Sequence, residues 1–451
     1  MVDIHSNDNP EMALDSWLAD PAGAGSVLAV EYSYSQYYLP GAPLIRLLAV
    51  YSRTNGQVLF TVAEADSSIS QGLQSMDGSL DGFQDFAACH RLPVFTLGQP
   101  MILETVSITK PWGQEIWYTG IEERGVSRVS NGTGSIPLPW LLSVAPRRLA
   151  ADCEKSINLL KILDPLPEAV YGDLYFELHE EKREVYVVTH IDKDTWPEGV
   201  GAIRFGFNPE SRAEYPSDDA FKAAYQNAVQ HYEVVRREVD GLLDSCRQSE
   251  GVDLNTPVSA EVVKSWMSQL PETLRQQEAN LREQMNRFSA LLPLRVGDVV
   301  QVPLLTPHSL QHGVRTVEFQ TPVYERMILS FAQKVLTQTH WDTEKAIAMM
   351  SLEAPSLPEL ALLEKDAEYK LEEVVSFDDF RVLRLTLAVS ARYLLPQTQR
   401  YGLLLVVDAE VDCHGIALAE EAAVLLPAER SNTYVTNTSN REAVLLLASP
   451  V

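Results

Sequence analysis

The stretch YFELHEEKREVYVV, Tyr175 to Val188, sets glutamates and a histidine into a run that otherwise reads as β-strand. Successive side chains of a strand point to opposite faces, so Glu177 and His179 share one. The EEKR segment reads as a polar turn, and Glu184 opens a returning strand on which its carboxylate would stand beside His179. Glu-x-His-x4-Glu would then gather one imidazole and two carboxylates on adjacent strands of a hairpin. Such donors suit Zn²⁺, Fe²⁺, Mn²⁺ or Ni²⁺ in a site with open positions. A charged hairpin face in water uses the same letters, so this stretch alone does not decide.

A second stretch, GDVVQVPLLTPHSLQHG from Gly297 to Gly313, shifts the balance. Gly-Asp supplies a turn, VVQVP a strand, and His308 follows a proline that fixes its own backbone. His308 and His312 have the spacing of two ligands on one helix face, but Pro303 and Pro307 oppose a helix. On an extended segment they would sit ~13 Å apart, so only one can reach a given metal. His190 is ~20 Å along its strand from Glu184 and is set aside for the same reason.

The bulk numbers bound the rest. A chain of 451 residues exceeds one ordinary core, so two or three domains are expected. A net charge of -26 argues against a nucleic-acid partner and makes any anionic substrate depend on local Lys or Arg. The four cysteines lie far apart without C-x-x-C, which fits a reducing cytosol. There is no signal-peptide pattern and no apolar run long enough for a bilayer, so a cytoplasmic protein without a membrane partner is expected. NGT at Asn131 reads as a turn.

Along the chain, short β-rich runs such as SVLAVEYSYSQYY and GQVLFTVAEA occupy the N-terminal region, with DSSISQGLQSMDGSLDG as a polar loop between them. The segment IPLPWLLSVAPRRLAADCEKSINLLKIL reads as helical. In 216–289, Phe221, Tyr225, Val229, Tyr232, Val235, Val239 and Leu242 mark the face of an amphipathic helix, followed by two more helices. HWDTEKAIAMMSL reads as another helix, and the tail returns to short strands. In KPWG, Trp112 and Trp117 are expected to pack, Gly113 to turn, and Glu115 to partner a nearby base.

The two histidine-bearing stretches together resemble the paired motifs of the cupin superfamily. Glu177-x-His179-x4-Glu184 is similar to the first, with Glu177 for its first His. Gly297-x5-Pro303-x4-His308 is similar to the second, with Leu305 at its Gly and His312 at its Asn. A closer resemblance, from about Lys110 onward, is to class I mannose-6-phosphate isomerases. LLKILDPLPEAVYGDLYFELH, KREVYVVTHID, GDVVQVPLLTPHSLQHGVRTVEFQ and HWDTEKAIAMM follow that family's segments in order.

The resemblance implies a mainly β fold with a helical insertion and two, or three, cupin (double-stranded β-helix) barrel-like domains. Composition and turn spacing, by themselves, give a loose polar N-terminal arm over 1–24 and a β-rich region over 25–100. A metal-binding cupin domain follows over 101–215 and 290–335, interrupted by the helical insertion of 216–289. A helix plus a C-terminal ligand-free cupin-like domain completes the chain over 336–451. The implied activity is metal-dependent aldose–ketose isomerisation of mannose 6-phosphate to fructose 6-phosphate through an enediolate. Implied metal ligands are Glu177, His179, Glu184 and His308, holding one divalent ion, with Zn²⁺ first and Fe²⁺, Mn²⁺ or Ni²⁺ as alternatives. Arg326, Lys182 and Glu318 would be catalytic, and Lys161, Tyr175, Lys182 and Arg326 would line the substrate, a sugar or sugar phosphate. Lys161 could equally hold the end of the helix. Homo-oligomerisation is compatible with the sequence.

Departures from the family leave the substrate open. Glu177 stands for a Gln and adds an anion, Tyr175 stands for a Ser associated with phosphate, and a long loop is missing. Another cupin enzyme, an oxygenase or epimerase, and a non-catalytic sugar-binding relative remain alternatives.

Overall fold

A computed structural model describes residues 2–6, 9–19, 26–54 and 56–451. The chain divides into two compact units, one of Met1–Val106, Trp117–Leu160 and Leu360–Val451, the other of Ser107–Ile116 and Lys161–Glu359.

The second unit carries both histidine-bearing stretches. Its strands are β1 Val106–Lys110, β2 Gly113–Trp117, β3 Leu159–Pro165, β4 Phe176–Leu178, β5 Glu184–Ile191, β6 Gly201–Phe207, β7 Ser289–Leu294, β8 Val299–Val302, β9 His308–Leu310, β10 Val314–Gln320 and β11 Met327–Ser330. One sheet has the order β8-β5-β10-β3-β2-β1, the other β7-β6-β9-β4-β11. From β4 onward the chain crosses repeatedly from one sheet to the other. Leu163, Tyr186, Val188, Val300 and Val302 of the first sheet share a core with Phe176, Leu178, Ile203, Phe205 and Ile328 of the second. Burying a side chain of this kind contributes about 1.5–3 kcal/mol, which is the force that closes the two sheets.

This arrangement corrects the hairpin reading of Tyr175 to Val188. β4 pairs with β9 and β11, whereas β5 pairs with β8 and β10, so the two strands do not pair with each other. An isolated hairpin would leave Phe176, Leu178, Val185 and Val187 half in water. Placing β4 and β5 in different sheets buries all four. The EEKR segment is therefore a crossover, and it ends in β5 with Glu184 facing the other sheet.

The helical insertion comprises α1 Asp218–Glu250, α2 Ala260–Ser268 and α3 Glu272–Asn286. Ser217 caps α1 by accepting the amide of Ala220, and Gly251 ends it at φ 71°. The apolar face runs as expected to Val239 and then takes Leu243, while Leu242 is exposed. Three- and four-residue steps together follow the 3.6 residues of a turn, and a four-residue step after Val239 keeps the stripe on the buried face. Lys161 lies on β3 and not at a helix end. Within the segment read as helical, only Leu138–Val144 and Pro146–Ala150 are helices. Beyond them, Leu160, Lys161, Ile162 and Leu163 are all buried, a pattern of a strand covered on both faces.

In the first unit, strands Val2–Ser6, Val27–Ser35, Leu44–Thr54, Gln57–Glu64 and Phe95–Thr96 form a sheet in that order. The stretch read as a loose arm holds the first of these strands and a helix, Pro10–Ala19, anchored by buried Leu14 and Trp17. Residues 1, 7, 8 and 20–24 of that stretch lie outside the described residues. The expected polar loop is two helices, Ser67–Ser75 and Leu80–Cys89, capped by Asp66 and Ser79 and anchored by Ile69, Leu73, Phe83 and Phe86. Four apolar residues at helical spacing outweigh the turn-like letters between them. The C-terminal strands form a four-stranded sheet and, together with Met101–Glu104, Arg128–Ser130 and Ser135–Pro137, a nine-stranded one, with Leu385, Leu445, Val411 and Val435 in one core.

Gly206 on β6 has φ 67°, and a Cβ there would come 1.8 Å from the carbonyl oxygen of Glu353. Gly206→Ala should therefore destabilise the protein by about 1–3 kcal/mol, read as a lowered Tm in thermal denaturation. An unchanged Tm would contradict this placement of the β6 backbone.

Candidate metal centre

β9 delivers His308, the end of β4 delivers His179, and β5 delivers Glu184 from the opposite sheet. Their donor atoms lie within 4.8 Å of one another, and all three residues are buried. Glu184 Oε2 is 3.3 Å from His179 Nε2 and 3.2 Å from His308 Nε2.

The histidines are oriented by backbone. His179 Nδ1 lies 3.0 Å from the carbonyl of Glu325, and His308 Nδ1 lies 3.1 Å from that of Thr306. A carbonyl can only accept, so each Nδ1 carries the proton and each Nε2 presents a lone pair. The buried Nε2 of His179 has no hydrogen-bond partner. Burial, with Lys182 next, pushes the His179 imidazole down, towards the neutral form that ligates. Two imidazole lone pairs and a carboxylate oxygen facing one point form a donor set that fits a divalent metal.

Glu184 is held on every side. Lys182 Nζ meets Oε1 at 2.6 Å, and the Tyr186 hydroxyl donates to Oε2 at 2.8 Å. Burial by itself would raise this carboxyl, but Lys182 outweighs it and holds it well below the usual range. Glu318, on neighbouring β10, goes the other way. Burial, against the pull of Lys161 and with the repulsion of Glu184, holds it well above the usual range. Lys161 Nζ is 3.2 Å from Glu318 Oε2 and 3.8 Å from Glu115 Oε1. Lys110 meets Glu115 at 3.2 Å, so Glu115 partners bases as its sequence context implied. Trp112 and Trp117 are buried, and Gly113 turns where a Cβ would come 2.2 Å from the carbonyl of Asp164.

Of the expected site residues, His179, Glu184 and His308 come together, with Lys182, Glu318 and Lys161 around them. Glu177 is not drawn into the three-donor group. Its carboxylate lies 3.7 Å from Arg326 Nη1. Arg326 also donates to Thr337 at 2.6 Å and lies over the ring of Tyr175, 4.6 Å from its centroid. Tyr175 packs in turn on Phe331 at 4.2 Å. His312 is 2.6 Å from Asp173 and stacks on Trp196, outside the group. Two contributors escaped the sequence reading. Tyr186 looked like any strand aromatic, and its i+2 relation to Glu184 was the available signal. Glu325 orients His179 through its carbonyl and accepts the amides of Glu180 and Glu181, a contact across 144 residues that no local pattern marks.

No family model matches the sequence, and no curated protein matches it. Solved structures do. The mannose 6-phosphate isomerase of Bacillus subtilis aligns at a TM-score of 0.52 and 14% identity, over 78% of this chain and 99% of its own. The apo form of the Salmonella typhimurium enzyme gives 0.52 and 11% with the same coverage, and a zinc-bound mannose 6-phosphate isomerase gives 0.51 and 12%. The fold is the cupin fold of these isomerases. Among the described residues no helix is long and apolar enough to cross a membrane.

Replacing His308 with Ala should remove at least nine-tenths of the bound metal, whereas Glu177→Ala should keep it. Metal analysis of the purified variants distinguishes them. Full metal content in the His308 variant would remove this centre from consideration.

Proposed function

We propose that the protein is a divergent class I mannose-6-phosphate isomerase, a zinc-dependent aldose–ketose isomerase that interconverts mannose 6-phosphate and fructose 6-phosphate. The observation that carries this reading is the buried His179–Glu184–His308 group with a lysine and a second carboxyl directly beside it, in a fold shared with a zinc-bound isomerase. His179, Glu184 and His308 would hold the metal, which when bound supplies positive charge to spread the negative charge of an enediolate.

The reaction moves a proton between C1 and C2 of the sugar. Lys182, fixed by Glu184, presents its remaining N–H groups to sugar oxygens. Arg326 brings a second cation, backed by Glu177 and the Tyr175 ring, and stabilises the developing oxyanion. Glu318, as the carboxylate, would take the proton from one of the two carbons and return it to the other. Its Oε1 is buried without a partner, and Lys161 fixes its other oxygen. Lys161 acts through Glu318 and not on the sugar. His179, Glu184, His308 and Glu318 are all buried, and a site closed to water in this way would protect an enediolate from side reactions.

Arg326→Ala should lower kcat for mannose 6-phosphate about 10²–10³-fold while bound metal stays constant. Coupled assay of fructose 6-phosphate formation reads the first quantity and elemental analysis the second. Metal-loaded wild-type protein that turns over neither sugar phosphate would overturn the reading.

A further inference from the structure

Within the second unit a cavity of about 50 Å³ lies between the helical insertion and the barrel. Its wall comes from α1, α2 and α3 on one side and from the chain just after β11 on the other. None of His179, Lys182, Glu184, His308 and Glu318 lines it. Its volume is that of about three to five water molecules, so it takes a ligand of only a few non-hydrogen atoms.

In a chain of net charge -26, this wall carries four cations, Arg236, Arg247, Arg282 and Lys334, and one carboxylate, Glu278. Three of the cations are answered. Arg236 donates twice to Asp240 and once to the carbonyl of Ala332. Lys334 donates to both oxygens of Asp244 and to the carbonyl of Leu254. Arg282 donates to both oxygens of Glu278.

Arg247 is different. It is 6% exposed, and its Nη1 donates to the carbonyls of Thr256 and Asp253 at 2.7 and 3.4 Å. Its ion-pair partner, Asp244, stays 3.8 Å from Nε, beyond hydrogen-bond distance, and is already held by Lys334. Burial pushes the Arg247 guanidinium down by more than Asp244, Asp240 and Asp253 restore. The edge formed by Nε and Nη2 is one that a carboxylate grips with two parallel hydrogen bonds. Arg124 and Arg212 fill that edge with Glu122 and Asp218. In Arg247 it carries no hydrogen bond among the described residues, and neither nitrogen is sealed from a solvent-sized molecule.

The rest of the wall is apolar. Leu243, Val263, Trp266 and Met267 belong to one hydrophobic cluster, and the Trp266 Nε1 donates to Glu250 at 2.7 Å, so the indole asks for no further partner. A phosphate would bring more oxygens than the open edge can pair and would press them on apolar atoms. A neutral apolar molecule would leave Arg247 unanswered. We propose that this cavity binds a short-chain monocarboxylate, with its two oxygens across Nε and Nη2 of Arg247 and its alkyl end against Leu243, Trp266 and Met267. The site stands independently of the isomerase reading.

The test is a ligand-observed NMR titration of the full-length, zinc-loaded protein in carboxylate-free buffer, with propionate, propionamide and inorganic phosphate. Propionate should bind saturably, and about tenfold or more tightly than either of the others. Arg247→Lys keeps the charge but loses the two-pronged edge, and Val263→Phe fills the cavity from a half-buried position. Each should weaken propionate about tenfold or more, with zinc content unchanged by elemental analysis. Should Arg247→Lys fail to fold, Val263→Phe alone gives the answer. No saturable propionate binding, equal or tighter binding of propionamide or phosphate, or an affinity that both variants leave intact, as a carboxylate on the zinc would show, would overturn the assignment.

Discussion

Glu184 is a carboxylate only 2% exposed, and the barrel around it is arranged to keep it charged. Removing one partner from a buried, paired charge costs about 3–5 kcal/mol, so Lys182, Tyr186, His179 and His308 are tied to it energetically as well as in space. Two of these partners come from the sheet opposite β5. The constraint therefore reaches beyond the site: the crossover after β4 must hand the chain from one sheet to the other within five residues. The side chain of Glu325 supports that crossover by accepting the amides of Glu180 and Glu181.

Much of this was legible in the sequence. The E-x-H-x4-E spacing and the later G-x5-P-x4-H picked out four candidate ligands, of which His179, Glu184 and His308 come together and Glu177 does not. The hairpin was misread for a physical reason: strand alternation says which face a side chain takes, not which strand lies beside it. Long-range partners such as Glu325 leave no local trace. The two helices of residues 67–89 were hidden by Ser, Gly and Asp letters, which act there as caps as well as turn formers.

Leu305 shows how a departure from a motif can keep its geometry. It stands where the cupin pattern has a glycine, and its φ of 61° is in the region that glycine adopts freely. Its amide donates to the carbonyl of His179 at 2.8 Å, and its own carbonyl accepts the amide of Ser351. Those two bonds hold a conformation that costs about 1–2 kcal/mol for a residue with a Cβ. The loop before His308 is thus tied to the other histidine. Glu177 is a different kind of departure: its charge is answered by Arg326, which also covers the ring of Tyr175.

The central claim is that three side chains from two facing sheets share one metal ion. Anomalous diffraction from crystals grown with zinc, recorded on both sides of the zinc edge, tests it directly. The expected result is a single strong peak about 2.0–2.2 Å from Nε2 of His179, Nε2 of His308 and a carboxylate oxygen of Glu184. A peak elsewhere, with those three side chains still closed on one another, would contradict it.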